Sequence, residues 1–108
     1  MGSVDRTKII DDLAIQIAKS YKPEKIILFG SRAWGTPTTD SDVDLFIVKN
    51  SSDQRIERAR QVREIIWRSG IPVDLLVYTP DEIKSRLARR DFFIRDIMTK
   101  GRVLYQAS

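Results

Sequence analysis

The chain contains neither cysteine nor histidine. It therefore has no imidazole general base, no thiol nucleophile, no conventional zinc site and no disulfide. Long hydrophobic runs are also missing. No segment approaches the length of a membrane span or carries a signal-peptide pattern, so a cytoplasmic protein that does not enter a membrane is the simplest expectation. At 108 residues the chain is expected to form one domain, residues 1–108, with room for a single core but not for an added substrate-binding domain. Whatever else a reaction needs would then come from a partner that docks. What remains to do chemistry is carboxylate, hydroxyl and metal.

Those groups are concentrated in one stretch. Ile26 to Phe29 is a short apolar run bounded by Gly30, too short for a helix and readable as a buried strand. Gly30 permits a tight turn and close approach of a ligand, because no Cβ stands in the way. Ser31 opens a short helical turn whose free N–H groups and hydroxyl suit a phosphate. The loop from Gly35 to Ser41, rich in Gly, Pro, Thr and Ser, returns the chain to a second strand, Val43 to Val48. Asp42 and Asp44 are two residues apart on that strand and are expected to share a face.

Adjacent carboxylates repel unless a cation lies between them, and Mg²⁺, with its preference for oxygen ligands, is the natural occupant. A third acid is available in Ile71-Pro-Val-Asp-Leu-Leu-Val-Tyr78, where Asp74 interrupts an apolar run. A lone acid in a buried strand is costly without a partner. If this third strand lies beside the second, Asp74 completes the cluster. Each residue also has a plainer reading: Asp42 as a turn cap, Asp74 in a salt bridge with an arginine, Arg32 paired with an aspartate rather than a phosphate. With 15 acids in the chain, roughly two acid-x-acid pairs arise by chance, so the motif gains weight only from its context of strand, Gly-Ser turn, loop and acidic strand.

The flanking sequence alternates helix and strand patterns with no linker or repeat. Ile9, Ile10, Leu13, Ile17 and Ala18 form one helical stripe, predicting a helix from about Asp5 to Ser20. Ser51-Ser-Asp-Gln54 fits a capping box for a second helix, with Ile56, Ala59, Val62 and Ile66 as its apolar positions and Gly70 as its stop. Thr79-Pro-Asp-Glu82 is another capping box, with Pro80 at the first helical position and Ile83 and Leu87 following. Asp91 to Lys100 predicts a last helix, ended by Gly101, and Val103 to Tyr105 a short edge strand. The expected architecture is α/β, with a small sheet carrying helices mainly on one face and the acids on the other.

The block Phe-Gly-Ser-Arg-Ala-Trp-Gly-Thr-Pro-Thr-Thr-Asp-Ser-Asp-Val-Asp-Leu, residues 29–45, resembles the DNA polymerase β-like nucleotidyltransferase superfamily. Within it the chain looks most like the minimal nucleotidyltransferases (MNT), encoded beside HEPN-domain partners, and the tail from Phe92 to Tyr105 is similar as well. One departure is Trp34, where many relatives carry Arg. The resemblance implies a nucleotidyltransferase fold with a mixed sheet and two Mg²⁺ ions held by Asp42, Asp44 and Asp74. It places ATP's phosphates against Gly30, Ser31, Arg32 and Ser41. It further implies an antitoxin that transfers AMP to a tyrosine of a HEPN-domain toxin. A binding module with vestigial acids, or transfer to RNA or a small molecule, are the alternatives.

Charge bears on the partner. The net charge is +4, but Arg55, Arg58, Arg60, Arg63 and Arg68 alternate with Asp53, Glu57 and Glu64, as on a solvated face, which argues against nucleic acid. The cluster Lys84, Arg86, Arg89, Arg90 and Arg95 is more one-sided, suited to an acidic partner or RNA, although solvation is the simpler account. Trp67, near the end of a helix, is readable as core or as an interface anchor.

Overall fold

A computed structural model of the chain describes residues 6–34 and 42–108. The elements run α1 (Arg6–Tyr21), β1 (Lys25–Phe29), α2 (Ser31–Trp34), β2 (Val43–Val48), α3 (Arg55–Ile66), a 3₁₀ turn (Trp67–Ser69), β3 (Val73–Tyr78), α4 (Pro80–Ala88), α5 (Phe92–Lys100) and β4 (Arg102–Gln106). Four strands make one sheet in the order β3-β2-β1-β4. β1 runs antiparallel to both β2 and β4, whereas β2 and β3 are parallel, so the sheet is mixed as expected.

The central strands are apolar apart from Lys25 at the start of β1 and Asp44 in β2, because both of their faces are covered. On one face, Ile26, Leu28, Val43, Leu45, Ile47, Leu75 and Val77 pack against Leu13 and Ile17 of α1 and Val62 and Ile66 of α3. On the other, Ile27, Phe29, Phe46, Val48 and Tyr78 meet Ile83 of α4 and Ile94 and Ile97 of α5. The two longest helices thus share one face, and the acids lie on the other. That second face is not bare, however: its aromatic and aliphatic residues need a cover, which α4 and α5 supply over all but one end.

Local chemistry sets the element ends. Thr79 accepts a hydrogen bond from the Glu82 N–H at 3.1 Å while Glu82 accepts from the Thr79 N–H at 2.9 Å, and Pro80 opens α4, so this capping box forms as expected. The one expected at Ser51 does not. Ser51 instead accepts from the Asp53 N–H at 3.0 Å in a local turn, and α3 starts at Arg55 behind Gln54, whose side chain makes no capping bond. Ile56, expected on the apolar stripe, is 83% exposed, and its place in the interior is taken by Arg58, 3% exposed. The Arg58 guanidinium donates to both Glu82 carboxylate oxygens at 2.8 Å and to the Val77 carbonyl at 2.7 Å, tying α3 to α4 across the sheet edge. Gly70, in the left-handed conformation, closes the 3₁₀ turn. Trp67 is exposed and lies beside Arg68, so it is not part of the core.

Candidate active site

The site is assembled by strand register. In the antiparallel pairing Phe29 lies opposite Asp44, so the next residue, Gly30, turns directly over the Asp44 side chain. Gly30 has φ +79°, and a Cβ there would stand 2.3 Å from Asp44 Oδ2, so both its backbone conformation and the space require glycine. In the parallel pairing Asp44 lies opposite Asp74. Neighbouring strands are about 4.8 Å apart, so the two carboxyls stand side by side at the end of the sheet that α4 and α5 leave uncovered. Asp42 sits just before β2 and is exposed.

These surroundings perturb Asp44. Partial burial first, then the Asp74 charge and a hydrogen bond between the two carboxyls, then the Asp42 charge, raise its pKa to about 6. Among the described residues no ion pair neutralises Asp44 or Asp74. Asp74 itself is exposed, because β3 is an edge strand, which corrects the expectation of a buried acid. Its place beside Asp44 comes from register rather than from a need to escape the core.

The turn after β1 is a single helical turn. The N–H groups of Ala33 and Trp34 donate to the Gly30 carbonyl at 2.9 and 3.1 Å, and Ser31 and Arg32 are half-buried at its start. Ser41 lies outside the described residues. Among the described residues no three acids stand together at metal-ligand spacing: the fold brings Asp44 and Asp74 into contact, while Asp42 acts through its charge. The donor set nonetheless fits a divalent cation, since it is all oxygen and anionic.

Three aromatic residues border this end of the sheet: Phe29 and Trp34 belong to the block read from the sequence as the site, whereas Phe93 was not identified as its neighbour. The Phe29 ring meets Trp34 at 6.5 Å and Phe93 edge-on at 5.7 Å. Trp34 is 43% and Phe93 52% exposed. The available signal was the Phe92-Phe93 pair at the start of a helix, since adjacent helical residues point about 100° apart and cannot both face one core.

A mixed α/β sheet that sets a glycine turn over paired aspartates defines the nucleotidyltransferase class of fold. Residues 11–104 match the family model described as a nucleotidyltransferase domain, and the chain belongs to that family. Two proteins of Methanocaldococcus jannaschii, both provisionally named protein adenylyltransferase, are similar to it. One is 36% identical over 85 residues, covering 74% of this chain and 56% of the relative, so the chain spans little more than half of that protein's length. The other is 28% identical over 105 residues, covering 94% of this chain and 100% of the relative. A provisionally named nucleotidyltransferase from Sulfolobus solfataricus superposes with a TM-score of 0.54 at 26% identity, covering 73% of this chain and 70% of that one. A chain from a toxin–antitoxin crystal structure with AMP-PNP gives 0.59 at 21% identity, covering 91% and 74%, a likeness of fold.

Proposed function

We propose that this chain is a Mg²⁺-dependent protein adenylyltransferase that moves AMP from ATP to a tyrosine hydroxyl of a HEPN-domain toxin and acts thereby as its antitoxin. The observation that carries this reading is the placement of Gly30 over Asp44 with Asp74 alongside, a phosphate-sized turn against paired carboxyls. Family membership and the names of the two archaeal relatives support the transfer of AMP to protein. The toxin–antitoxin fold neighbour supports the antitoxin role.

In this reading Gly30 leaves room for the β- and γ-phosphates, and the Ser31 hydroxyl, the Arg32 guanidinium and Ser41 hold their oxygens. Asp42, Asp44 and Asp74 would hold the metal ions. When bound, the ions balance the triphosphate charge and lower the pKa of the acceptor hydroxyl. The acceptor oxygen bonds to the α-phosphorus in line as the bond to pyrophosphate breaks. Asp44 is the pivot, being the carboxyl that meets both the glycine turn and Asp74.

The test is incubation with Mg²⁺, each α-labelled nucleoside triphosphate in turn and lysate of the source cells, with Asp44→Asn as control. A labelled protein band that disappears with Asp44→Asn is the expected result, with ATP as donor. Undiminished label with Asp44→Asn would remove the aspartates from the chemistry, and label in RNA or small molecules would replace the protein acceptor. A partner bound but never labelled would favour neutralisation by complex formation.

A further inference from the structure

The corner between α4 and α5 combines apolar and cationic side chains. Leu87, Arg90, Asp91, Phe92 and Arg95 line a concavity of ≈ 310 Å³. Its floor is apolar, with Leu87 40% and Phe92 61% exposed. Its rim is cationic. Asp91 is occupied twice, as the cap of the Ile94 N–H at 3.1 Å and in an ion pair with Arg86 at 3.5 Å. Among the described residues no ion pair engages Arg90 or Arg95. Arg90 adopts φ +61°, an uncommon conformation for a side-chain-bearing residue, which holds the turn at the mouth of the concavity.

The corner also adjoins the site. Phe93, next to Phe92, touches Phe29, and Phe29 is the register partner of Asp44. The start of α5 thus links the concavity, through Phe92, to the Phe29 end of the sheet, through Phe93.

We propose that this corner docks the protein acceptor, through an acidic segment that carries an apolar anchor and delivers the acceptor hydroxyl to the carboxyls. The proposal rests on the adenylyltransferase reading for what is delivered, though not for the docking itself. Charge complementarity selects an acidic partner, since two guanidiniums with no ion pair among the described residues flank the concavity and its one carboxylate is already committed. Protein is favoured over RNA because the exposed Leu87 and Phe92 side chains suit an apolar side-chain anchor, and the relatives are named for transfer to protein.

The experiment uses a glutamate–tyrosine copolymer as probe, with a lysine–tyrosine copolymer and oligouridylate as comparisons. Binding is read by fluorescence anisotropy and transfer by label from α-labelled ATP. The glutamate–tyrosine copolymer is expected to bind selectively, and Arg90→Glu/Arg95→Glu to weaken it at least tenfold, with Arg90→Gln/Arg95→Gln in between. ATP binding by these variants should be unchanged, because neither residue belongs to the site. Equal binding of both copolymers, tighter binding of oligouridylate, or indifference to the charge reversal would overturn the proposal. Selective binding that the variants weaken, without transfer of label by the unmodified chain, would uphold the docking corner and count against the adenylyltransferase reading.

Discussion

At Asp44 the fold and the proposed chemistry pull in opposite directions, because burial and the Asp74 carboxyl oppose the charge that a cation requires. A rise from 3.8 to about 6 corresponds to about 3 kcal/mol, which solvent at a half-buried carboxyl reduces to on the order of 1–2 kcal/mol. The folded pKa lies above the unfolded one, so this contribution is present below pH 3.8 and is lost as pH rises through about 6. Asp44→Asn is therefore expected to abolish transfer while stabilising the metal-free protein by that amount at pH 8 and by little at pH 4, as read by urea unfolding at the two pH values. Equal effects at both would mean that the pair does not repel. Gly30→Ala should fail differently. It places a methyl against the Asp44 carboxyl in a left-handed backbone, and is expected to cost about 1–3 kcal/mol and remove nucleotide binding, measurable by calorimetry.

Among the elements, α4 depends most on its start. Thr79→Ala removes one half of the capping box and is expected to cost about 1 kcal/mol in thermal unfolding, with no change in nucleotide binding. The capping box at Thr79 was readable because every partner lies within four residues. The false one at Ser51 had the same spacing but lost to a tighter local turn, and the Asp53 carbonyl beside it accepts from the Arg58 side chain at 2.9 Å. Arg58 itself read as one member of a solvated charge face. Its true partner, Glu82, is 24 residues away, a distance at which a helical charge pattern carries no information. The strands were legible for the opposite reason: burial on both faces left apolar runs with few competing interpretations.

For the whole molecule, two carboxyls bracket the pH of greatest stability. Glu82 is held down to about 2, chiefly by its hydrogen bonds to Arg58, so its contribution is present above pH 4.5 and is lost as pH falls toward 2. Asp44 acts in the reverse sense. The metal-free protein is expected to be most stable at about pH 4 to 5, with Mg²⁺ moving the maximum upward. Thermal unfolding between pH 2 and 9, with and without Mg²⁺, checks this, and stability that climbs steadily from pH 4 to 8 without metal would contradict it. At this scale the sequence pattern revealed the order of elements, whereas the mixed sheet came from the family resemblance and the proximity of Asp44 to Asp74 was conditional on the pairing of β2 with β3. It did not reveal that α5 returns Phe93 to the site, because that contact joins residues 64 positions apart through the packing of α5 on β1.

The pairing of β2 with β3 has one further consequence. Because Asp44 and Asp74 are opposed through main-chain hydrogen bonds, their separation is a property of the sheet and not of the side chains around them. Core positions are free to drift among aliphatic residues of similar bulk without detuning the carboxyls, whereas a single inserted or deleted residue in either strand would part them at once. The site of this chain should therefore tolerate substitution in its core more readily than a change of strand length.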